Sequence, residues 1–165
     1  MSALEPRLNA FRPDLADAGL RGKVEAPRFV EATRRRVVAF SAPLKRSPSV
    51  EASLDSEVLR GEVFRVFEET AEGWSWGQLE TDSYVGYVPT GALGSLAPEP
   101  THRVAALRTF VYPGPNLKLP FRDYLTLNAK VAVVETEGDY ARLATGGCRA
   151  MSSSEAPTRL SPAAR

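Results

Sequence analysis

Cysteine, histidine and long apolar runs are all scarce in this sequence. Cys148 is the one cysteine and His102 the one histidine. A disulfide within the chain and a zinc or iron–sulfur site built from several cysteines are therefore excluded. No apolar run approaches the roughly 20 residues that cross a bilayer, and charges and prolines interrupt the amino-terminal segment where a secretory signal needs an apolar core. We expect a soluble, cytoplasmic protein with no metal, no cofactor and no membrane partner.

An excess of either charge is also missing. The chain has 21 basic and 20 acidic residues and a net charge of +1, so no overall field attracts it to nucleic acid. The basic cluster Arg34–Arg36 has no basic companions nearby and precedes an apolar run, which indicates a solvated strand edge. We expect no nucleic-acid partner.

Residues 1–33 differ from the rest of the chain. Apolar residues recur there at helix-like spacing, but Pro6 and Pro13 interrupt the pattern. We expect an extended N-terminal arm with one short helix, which begins near Pro13 and ends before Gly19 or Gly22. Such an arm packs on a neighbouring element.

From residue 33 onward, short β-branched and aromatic runs alternate with Pro, Gly, Ser and Asp, which is typical of small β barrels. The runs form an internal repeat. Residues 36–48 lie over 103–115, and residues 59–69 lie over 127–137 after a shift of one residue in a loop. Five or six short strands in about 60 residues cannot bury the face of a flat sheet, so each copy should curl into a partly open barrel.

The sequence thus predicts an all-β protein of four segments: the arm over 1–33, a first barrel over 34–97, a second barrel over 98–152 and a tail over 153–165. The repeat places the last strand of the second barrel at Cys148 to Met151, where the sequence is polar and rich in alanine. We expect a degraded last strand there and a disordered tail, and the resulting open edge would favour self-association. A reading frame disrupted near Gly147 and a natural stand-alone protein both account for the loss of pattern.

A resemblance to a known family is carried by residues 54–93, LDSEVLRGEVFRVFEETAEGWSWGQLETDSYVGYVPTGAL. The Leu-Arg-Gly-Glu turn, the GWSW strand and the YVGYV strand resemble those of bacterial SH3 domains. With the preceding RPDLAD and EAPRFVE and a second copy that opens THRVAALRTFVYPGP, the arrangement is similar to the amino-terminal half of NlpC-type bacterial dipeptidyl peptidases. The resemblance implies two SH3-like barrels in tandem. It also implies a connection with papain-like cysteine peptidases that cut γ-D-glutamyl–diamino-acid bonds in the stem peptides of peptidoglycan.

The catalytic part of that family has no counterpart in this sequence. In the family a catalytic domain with an Asp-Cys-Ser-Gly motif follows the second SH3 copy. Cys148 lies instead in GGCRAM, without a neighbouring acid or helix start to activate it, and His102 lies in the expected linker, so the thiol lacks a base. We predict no catalytic residue and a non-catalytic binding module related to cell-wall peptide peptidases. The alternative is a truncated or split NlpC-type cysteine peptidase whose catalytic domain lies on another chain or was lost.

Aromatic residues of the first copy are candidates both for the core and for a ligand site. The period of two along a strand places Trp74 and Trp76 on one face, where both can fill the barrel, and places Tyr84 and Tyr87 on opposite faces. Val85 is the better core candidate on its strand, which leaves Tyr84 more exposed.

The resemblance implies that an acid and a tyrosine of the first copy read the amino terminus of a stem peptide. The positions that could match are Glu57 or Glu62 for the acid and Tyr84 or Tyr87 for the tyrosine, with Trp74 as a further aromatic candidate. The expected partner is a muropeptide ligand or a separate peptidase domain.

Overall fold

The structure of the protein is a computed structural model that describes residues 4–145, 149–151 and 160–162. These residues form strands and short 3₁₀ turns, so the all-β prediction is confirmed. Among them, no helix is long and apolar enough to cross a membrane. The chain divides into two compact units, one with Met1–Val58 and Glu62–Ser95 and the other with Leu59–Gly61 and Leu96–Arg165. This division lies beside the boundary predicted at residue 97, and the predicted limits of the four segments stay predictions.

The first unit is built around one sheet. The strands are β1 Ala16–Asp17, β2 Phe29–Val30, β3 Thr33–Val37, β4 Ser41–Lys45, β5 Leu54–Leu59, β6 Val63–Glu69, β7 Trp74–Leu79, β8 Val85–Pro89 and β9 Leu93–Gly94, with 3₁₀ turns at Ala18–Leu20 and Thr90–Ala92. Strands β3 to β9 form the sheet in the order β5-β4-β8-β7-β6-β3-β9. Neighbouring strands run antiparallel, as in β6 with β7 and β7 with β8.

The sheet encloses an apolar core. Its buried residues are Val37, Ala42, Leu44, Val58, Phe64, Val66, Leu79, Val88, Ala92 and Leu93. Gly77 and Gly86 lie directly opposite each other on β7 and β8 and leave room for this core. A Cβ on Gly77 would lie 2.5 Å from the Phe64 ring, and one on Gly86 would lie 2.6 Å from a Leu44 methyl group. The two glycines therefore face the core, and Trp76, next to Gly77 on β7, faces away from it.

A β-bulge in β6 adds side chains to that outer face. Val66 pairs with Gly77 and Glu68 pairs with Trp76, so β6 has Phe67 as an extra residue at this point. Residues directly opposite each other in a sheet point to the same side, so Glu68 faces outward with Trp76. Phe67 is buried in the same outer cluster as Trp76. The bulge thus directs one aromatic and one acidic side chain away from the barrel core.

The N-terminal arm, here residues 4–32, covers the outer face. Ala10 and Leu15 of the arm are each 1% exposed. They form one buried cluster with Phe67, Trp76 and Val85 of the sheet, which we call the arm cluster. The arm is therefore packed on the barrel, as the sequence predicted.

The arm contains less helix than predicted. Ala18–Leu20 form a single 3₁₀ turn capped by the side chain of Asp17. Around Pro13, the N–H of Arg12 donates to the carbonyl of Leu15 at 2.7 Å and the N–H of Leu15 donates back at 3.4 Å. These bonds close a tight turn, and the fixed φ of proline suits the second position of a turn as well as the start of a helix. The helix expected to begin near Pro13 is reduced to the 3₁₀ turn.

The second unit repeats this strand order. Its strands are β10 His102–Val104, β11 Arg108–Tyr112, β12 Asp123–Thr126, β13 Lys130–Val131, β14 Val133–Glu137, β15 Tyr140–Leu143, β16 Arg149–Met151 and β17 Leu160–Pro162. They form two sheets, β12-β11-β16-β15-β14 and β13-β10-β17. Only Ala132 separates β13 from β14. When these two are counted as one strand, the order of the second unit is β12-β11-β16-β15-β14/β13-β10-β17, which matches β5-β4-β8-β7-β6-β3-β9 of the first unit strand for strand. The interpretation as a second SH3-like barrel stays a prediction, which the equal order supports.

The carboxyl-terminal segment differs from expectation where it is described. β16 pairs with β11 and β15 at the place of the expected degraded strand. β17 lies within the predicted disordered tail and pairs with β10. His102, which was expected in a linker, lies in β10. Backbone hydrogen bonds do not require apolar side chains, so a polar, alanine-rich segment can still extend a sheet. Cys148 lies outside the described residues.

Candidate functional site

Two of the five predicted site residues are buried, and a third lies on an open surface. Trp74 is 8% exposed and Glu62 is 7% exposed, and neither lines the cleft beside Tyr87. Glu57 is exposed and does not line that cleft either. Tyr84 and Tyr87 are half-buried. The predicted acids and Trp74 are therefore not brought together with a tyrosine.

The two tyrosines face opposite sides, as the period of two predicts. Tyr84 packs against the barrel core, whereas Tyr87 packs against the arm cluster with Trp76 and Val85. Val85 is buried as expected, but beneath the arm and not in the barrel. Trp76 was expected to fill the barrel and lies in the arm cluster instead, because the arm makes the outer face of the sheet a second interior.

A cleft of about 370 Å³ opens between the arm and the edge of the arm cluster. Its lining combines aromatic rings with side chains of both charges: Glu5, Pro6, Arg7, Phe11, Arg12, Arg46, Asp55, Trp76, Val85, Gly86 and Tyr87. Tyr87 is the one predicted site residue among them. A smaller space of about 280 Å³ beside Tyr84 is lined by Glu5, Arg7 and Leu8 as well.

Arg12 is the most connected residue of the cleft. Its Nη1 donates to Oη of Tyr87 at 2.8 Å, and its Nε and Nη2 donate to the carboxylate of Asp14 at 3.0 and 2.8 Å. Its Nη2 also donates to Oε2 of Glu68 at 2.5 Å. The guanidinium lies over the ring of Trp76, with 4.4 Å from Cζ to the ring centroid, a favourable cation–π distance. Through Arg12, the arm contacts Glu68, Trp76 and Tyr87 of the sheet at one wall of the cleft.

The ion pairs of Arg12 shift the pKa values of its partners. The hydrogen bond from Arg12 lowers the pKa of Glu68 from its ordinary 4.5, against the opposing effect of burial, and Arg28 lowers it further. The hydrogen bond from Arg12 also lowers the pKa of Asp14. Burial lowers the pKa of Arg12 itself, but the hydrogen bonds to the two carboxylates outweigh it, so that pKa is raised. Both carboxylates and the guanidinium are thus charged at neutral pH.

A second ion pair lies on the barrel side of the cleft. Nη2 of Arg46 donates to Asp55 at 2.8 Å and Nε donates to the other carboxylate oxygen at 3.3 Å. The Asp55 side chain is 8% exposed while that of Arg46 is 65% exposed. The carboxylate is therefore held in place by a cation that solvent, or a ligand, reaches easily.

Glu5 and Arg7 add two more exposed charges to the cleft. The Arg7 guanidinium lies 5.6 Å from the ring centroid of Tyr84, and its backbone carbonyl accepts a hydrogen bond from the N–H of Val85 at 2.8 Å. That backbone bond ties the arm to β8, so the position of these charges depends on the docked arm.

Sequence reasoning missed most of this site. Asp55 lies two residues before Glu57 on β5, so alternation places both on one face, and the resemblance that suggested Glu57 as the acid could equally have suggested Asp55. The arm residues gave no such signal, since nothing local in the sequence shows which face of the barrel the arm covers. Among the residues that the structure describes, no group of three or more His, Cys, Asp or Glu could hold a metal ion.

The first unit matches a known domain family. Residues 44–93 match the model of the bacterial dipeptidyl-peptidase SH3 domain, a segment that contains Asp55, Trp76 and Tyr87. No curated protein matches the chain in sequence. Residues 44–93 are therefore similar to bacterial SH3 domains of this type, and the arm that completes the cleft lies outside the matched segment.

Solved structures of NlpC/P60 proteins resemble the chain. An NlpC/P60 family protein from Bacillus cereus aligns with a TM-score of 0.56 and 13% identity, over 72% of this chain and 54% of that one. NlpC2 from Trichomonas vaginalis aligns with a TM-score of 0.34 and 10% identity, over 74% of this chain and 46% of that one. The chain spans about half the length of these proteins. At 13% identity, the likeness to the Bacillus cereus protein shows a shared fold.

Proposed function

We propose that the first unit is a non-catalytic binding module that holds a short cell-wall stem peptide for a peptidase of the NlpC type. The observation that carries this proposal is the cleft itself. It brings Tyr87, Trp76 and Asp55 of a dipeptidyl-peptidase SH3 domain into one lining with the arm's Glu5 and Arg7.

The chemistry of the lining matches a short peptide with charges of both signs. A stem peptide has an ammonium group, several carboxylates and small aliphatic side chains. Carboxylates of Asp55 and Glu5 suit the ammonium, and the exposed Arg7 suits a carboxylate. The ring of Tyr87, which is half-buried, supplies apolar contact area for the aliphatic part. The volume of about 370 Å³ falls within the usual range for small-ligand sites.

Asp55 is the strongest candidate for the amine because it is both held and partly desolvated. Its two oxygens are fixed by the bidentate contact with Arg46, and its side chain is 8% exposed. A carboxylate has about four lone-pair sites, so it can accept from an ammonium while it keeps Arg46. Glu5 is exposed and would contribute less, because solvent screens it.

Cleavage itself is assigned to a catalytic domain and not to this module. The description of the matched family as a dipeptidyl-peptidase domain favours a peptidase as the partner, whether that domain shares the polypeptide or belongs to another chain. Because the cleft is open and holds part of a peptide, affinity of the module alone should be weak, with a dissociation constant on the order of 0.1–1 mM.

Calorimetric titration with L-Ala-γ-D-Glu-diaminopimelate tests the proposal. Wild-type protein should release or absorb heat in a saturable manner, and mass spectrometry of the same mixture should find the peptide intact. Asp55→Asn should weaken binding roughly tenfold, because it removes the charge that pairs with the amine.

The matched control is Glu57→Gln, which removes a carboxylate from the same face of β5 but outside the cleft. Its affinity should stay within about twofold of wild type, as expected for an exposed charge. Absence of heat with wild type, or equal losses in the two variants, would contradict the proposed site.

A further inference from the structure

The hydrogen bond between Arg12 and Tyr87 has a fixed direction. A guanidinium group has only donors, so at 2.8 Å from Nη1 the hydroxyl oxygen of Tyr87 must be the acceptor. A hydroxyl group has two acceptor sites and one hydrogen of its own. One acceptor site is therefore occupied by a cation, and the hydroxyl hydrogen is directed away from Arg12.

Arg12 cannot readily release this contact. Asp14 and Glu68 hold its Nε and Nη2 at 2.5 to 3.0 Å, and its plane lies over Trp76. The side chain is 17% exposed. Contacts that do not involve Tyr87 thus orient the Nη1–H bond of Arg12 toward Tyr87. The arginine therefore determines which way the hydroxyl hydrogen of Tyr87 points.

The neighbouring cation also selects what the hydroxyl group can bind. In the part of the chain that the structure describes, the bond from Arg12 is the one hydrogen bond of the Tyr87 hydroxyl. A ligand ammonium at the second acceptor site would lie close to the Arg12 guanidinium, and like charges at such separations repel. An oxygen acceptor at the hydroxyl hydrogen has no such penalty, because a hydroxyl that already accepts from a cation is a stronger donor.

We propose that Arg12 is a positioning residue that makes Tyr87 a hydrogen-bond donor to a carbonyl or carboxylate oxygen of the ligand. This inference rests on the proposed function. It assigns separate tasks within the cleft: Asp55 accepts from the amine, and Tyr87 reads an oxygen of the same peptide.

A double-mutant cycle tests whether Arg12 acts through the hydroxyl group. The affinity for L-Ala-γ-D-Glu-diaminopimelate is measured for Arg12→Met, Tyr87→Phe and the double variant. Arg12→Met should cost more affinity in wild type than in the Tyr87→Phe background, by about fivefold, since contacting groups are coupled. Equal costs in the two backgrounds would mean that Arg12 only holds the arm, and would overturn the inference.

Arg28→Met is the matched control for the cycle. Arg28 also pairs with Glu68, at 2.9 Å, and approaches Asp14 to 3.9 Å, but Tyr87 is not among its partners. Loss of Arg28 should change affinity by less than about twofold. A loss as large as that of Arg12→Met would show that the network acts through charge alone and would contradict the assignment.

A second experiment keeps Arg12 and the arm in place. Replacement of Tyr87 by 3-fluorotyrosine makes the hydroxyl group a better donor and a poorer acceptor. If Tyr87 donates to the ligand, affinity should rise by about twofold, whereas the same replacement at Tyr124, which does not line the cleft, should leave it unchanged.

The sign of this change separates the two proposals. Weaker binding with fluorinated Tyr87 would mean that the hydroxyl accepts from the amine, which overturns the inference and leaves the proposed function standing. Absence of binding by wild-type protein would overturn both.

Discussion

Leu15→Ala should make the N-terminal arm open more often while leaving the barrel folded. The arm contributes only two fully buried apolar residues to the arm cluster, Ala10 and Leu15, each 1% exposed. Leu15 is therefore the largest fully buried apolar side chain that the arm places in the cluster with Trp76 and Phe67. The barrel core is a separate cluster of other residues, so its packing should not depend on this leucine.

The magnitude follows from the buried atoms. Truncation of leucine to alanine removes three carbon groups at about 0.8 kcal/mol each, or roughly 2.5 kcal/mol before any cavity effect. At 1.36 kcal/mol per factor of ten, arm opening should become about 70-fold more frequent. Affinity for the stem peptide should fall as well, because the arm provides Glu5, Arg7 and Arg12 to the cleft.

Hydrogen exchange measures this directly. The N–H of Asp17 donates to the carbonyl of Ala10, and the N–H of Val85 donates to that of Arg7, both at 2.8 Å. The protection of these two amides against exchange should fall about 70-fold, and the protection of the amides of β6 and β7 should change little. Leu8→Ala is the control, since Leu8 is 42% exposed.

Two results would refute this reasoning. Equal protection of the Asp17 amide in Leu15→Ala and Leu8→Ala would mean that the buried leucine does not hold the arm. Equal loss of protection in the arm and in β6 would mean that arm and barrel unfold as one cooperative unit.

Acid should also loosen the arm. The folded-state pKa values of Glu68 and Asp14 lie below their ordinary values of 4.5 and 3.8. The stability that these two carboxylates contribute is therefore complete above the ordinary pKa values and is lost as the pH falls through the lowered folded-state pKa values. Exchange of arm amides should accelerate below about pH 4, and a wild-type-like acid dependence in Glu68→Gln would count against this pair as its source. Gly77→Ala should destabilise the first unit by about 2–3 kcal/mol in urea unfolding, because its Cβ would lie 2.2 Å from the carbonyl oxygen of Arg65. Gly91→Ala, where no atom lies within 4 Å, should stay within about 0.5 kcal/mol of wild type, and similar effects of the two substitutions would contradict the close approach at Gly77.

The fold was largely predictable because its signals are local. Alternating apolar residues between glycine turns identify β6 and β7, and Gly73 has a φ of +84°, which favours glycine at the turn between them. The period of two also placed Tyr84 and Tyr87 on opposite faces. Such patterns depend on neighbours along the chain, which a sequence displays.

The site was less predictable because it depends on where the arm lies. The period of two gives the relative faces of residues on one strand, such as Val85 and Tyr87, but does not say that a second layer covers the outer face. Arg12 meets Tyr87 across 75 positions of sequence, and no local pattern reports that contact. Asp55 and not Glu57 lines the cleft because of its position along β5, where it pairs with Arg46.

The central claim is that the docked arm and the SH3-like segment over residues 44–93 together bind a stem peptide through its free amine. The most direct test is calorimetric titration of the intact chain with L-Ala-γ-D-Glu-diaminopimelate and with the same peptide acetylated on the amine of its alanine. Saturable heat with the free peptide and at least about tenfold weaker binding of the acetylated one is the predicted result. Equal affinity for both peptides, or no heat with either, would contradict it.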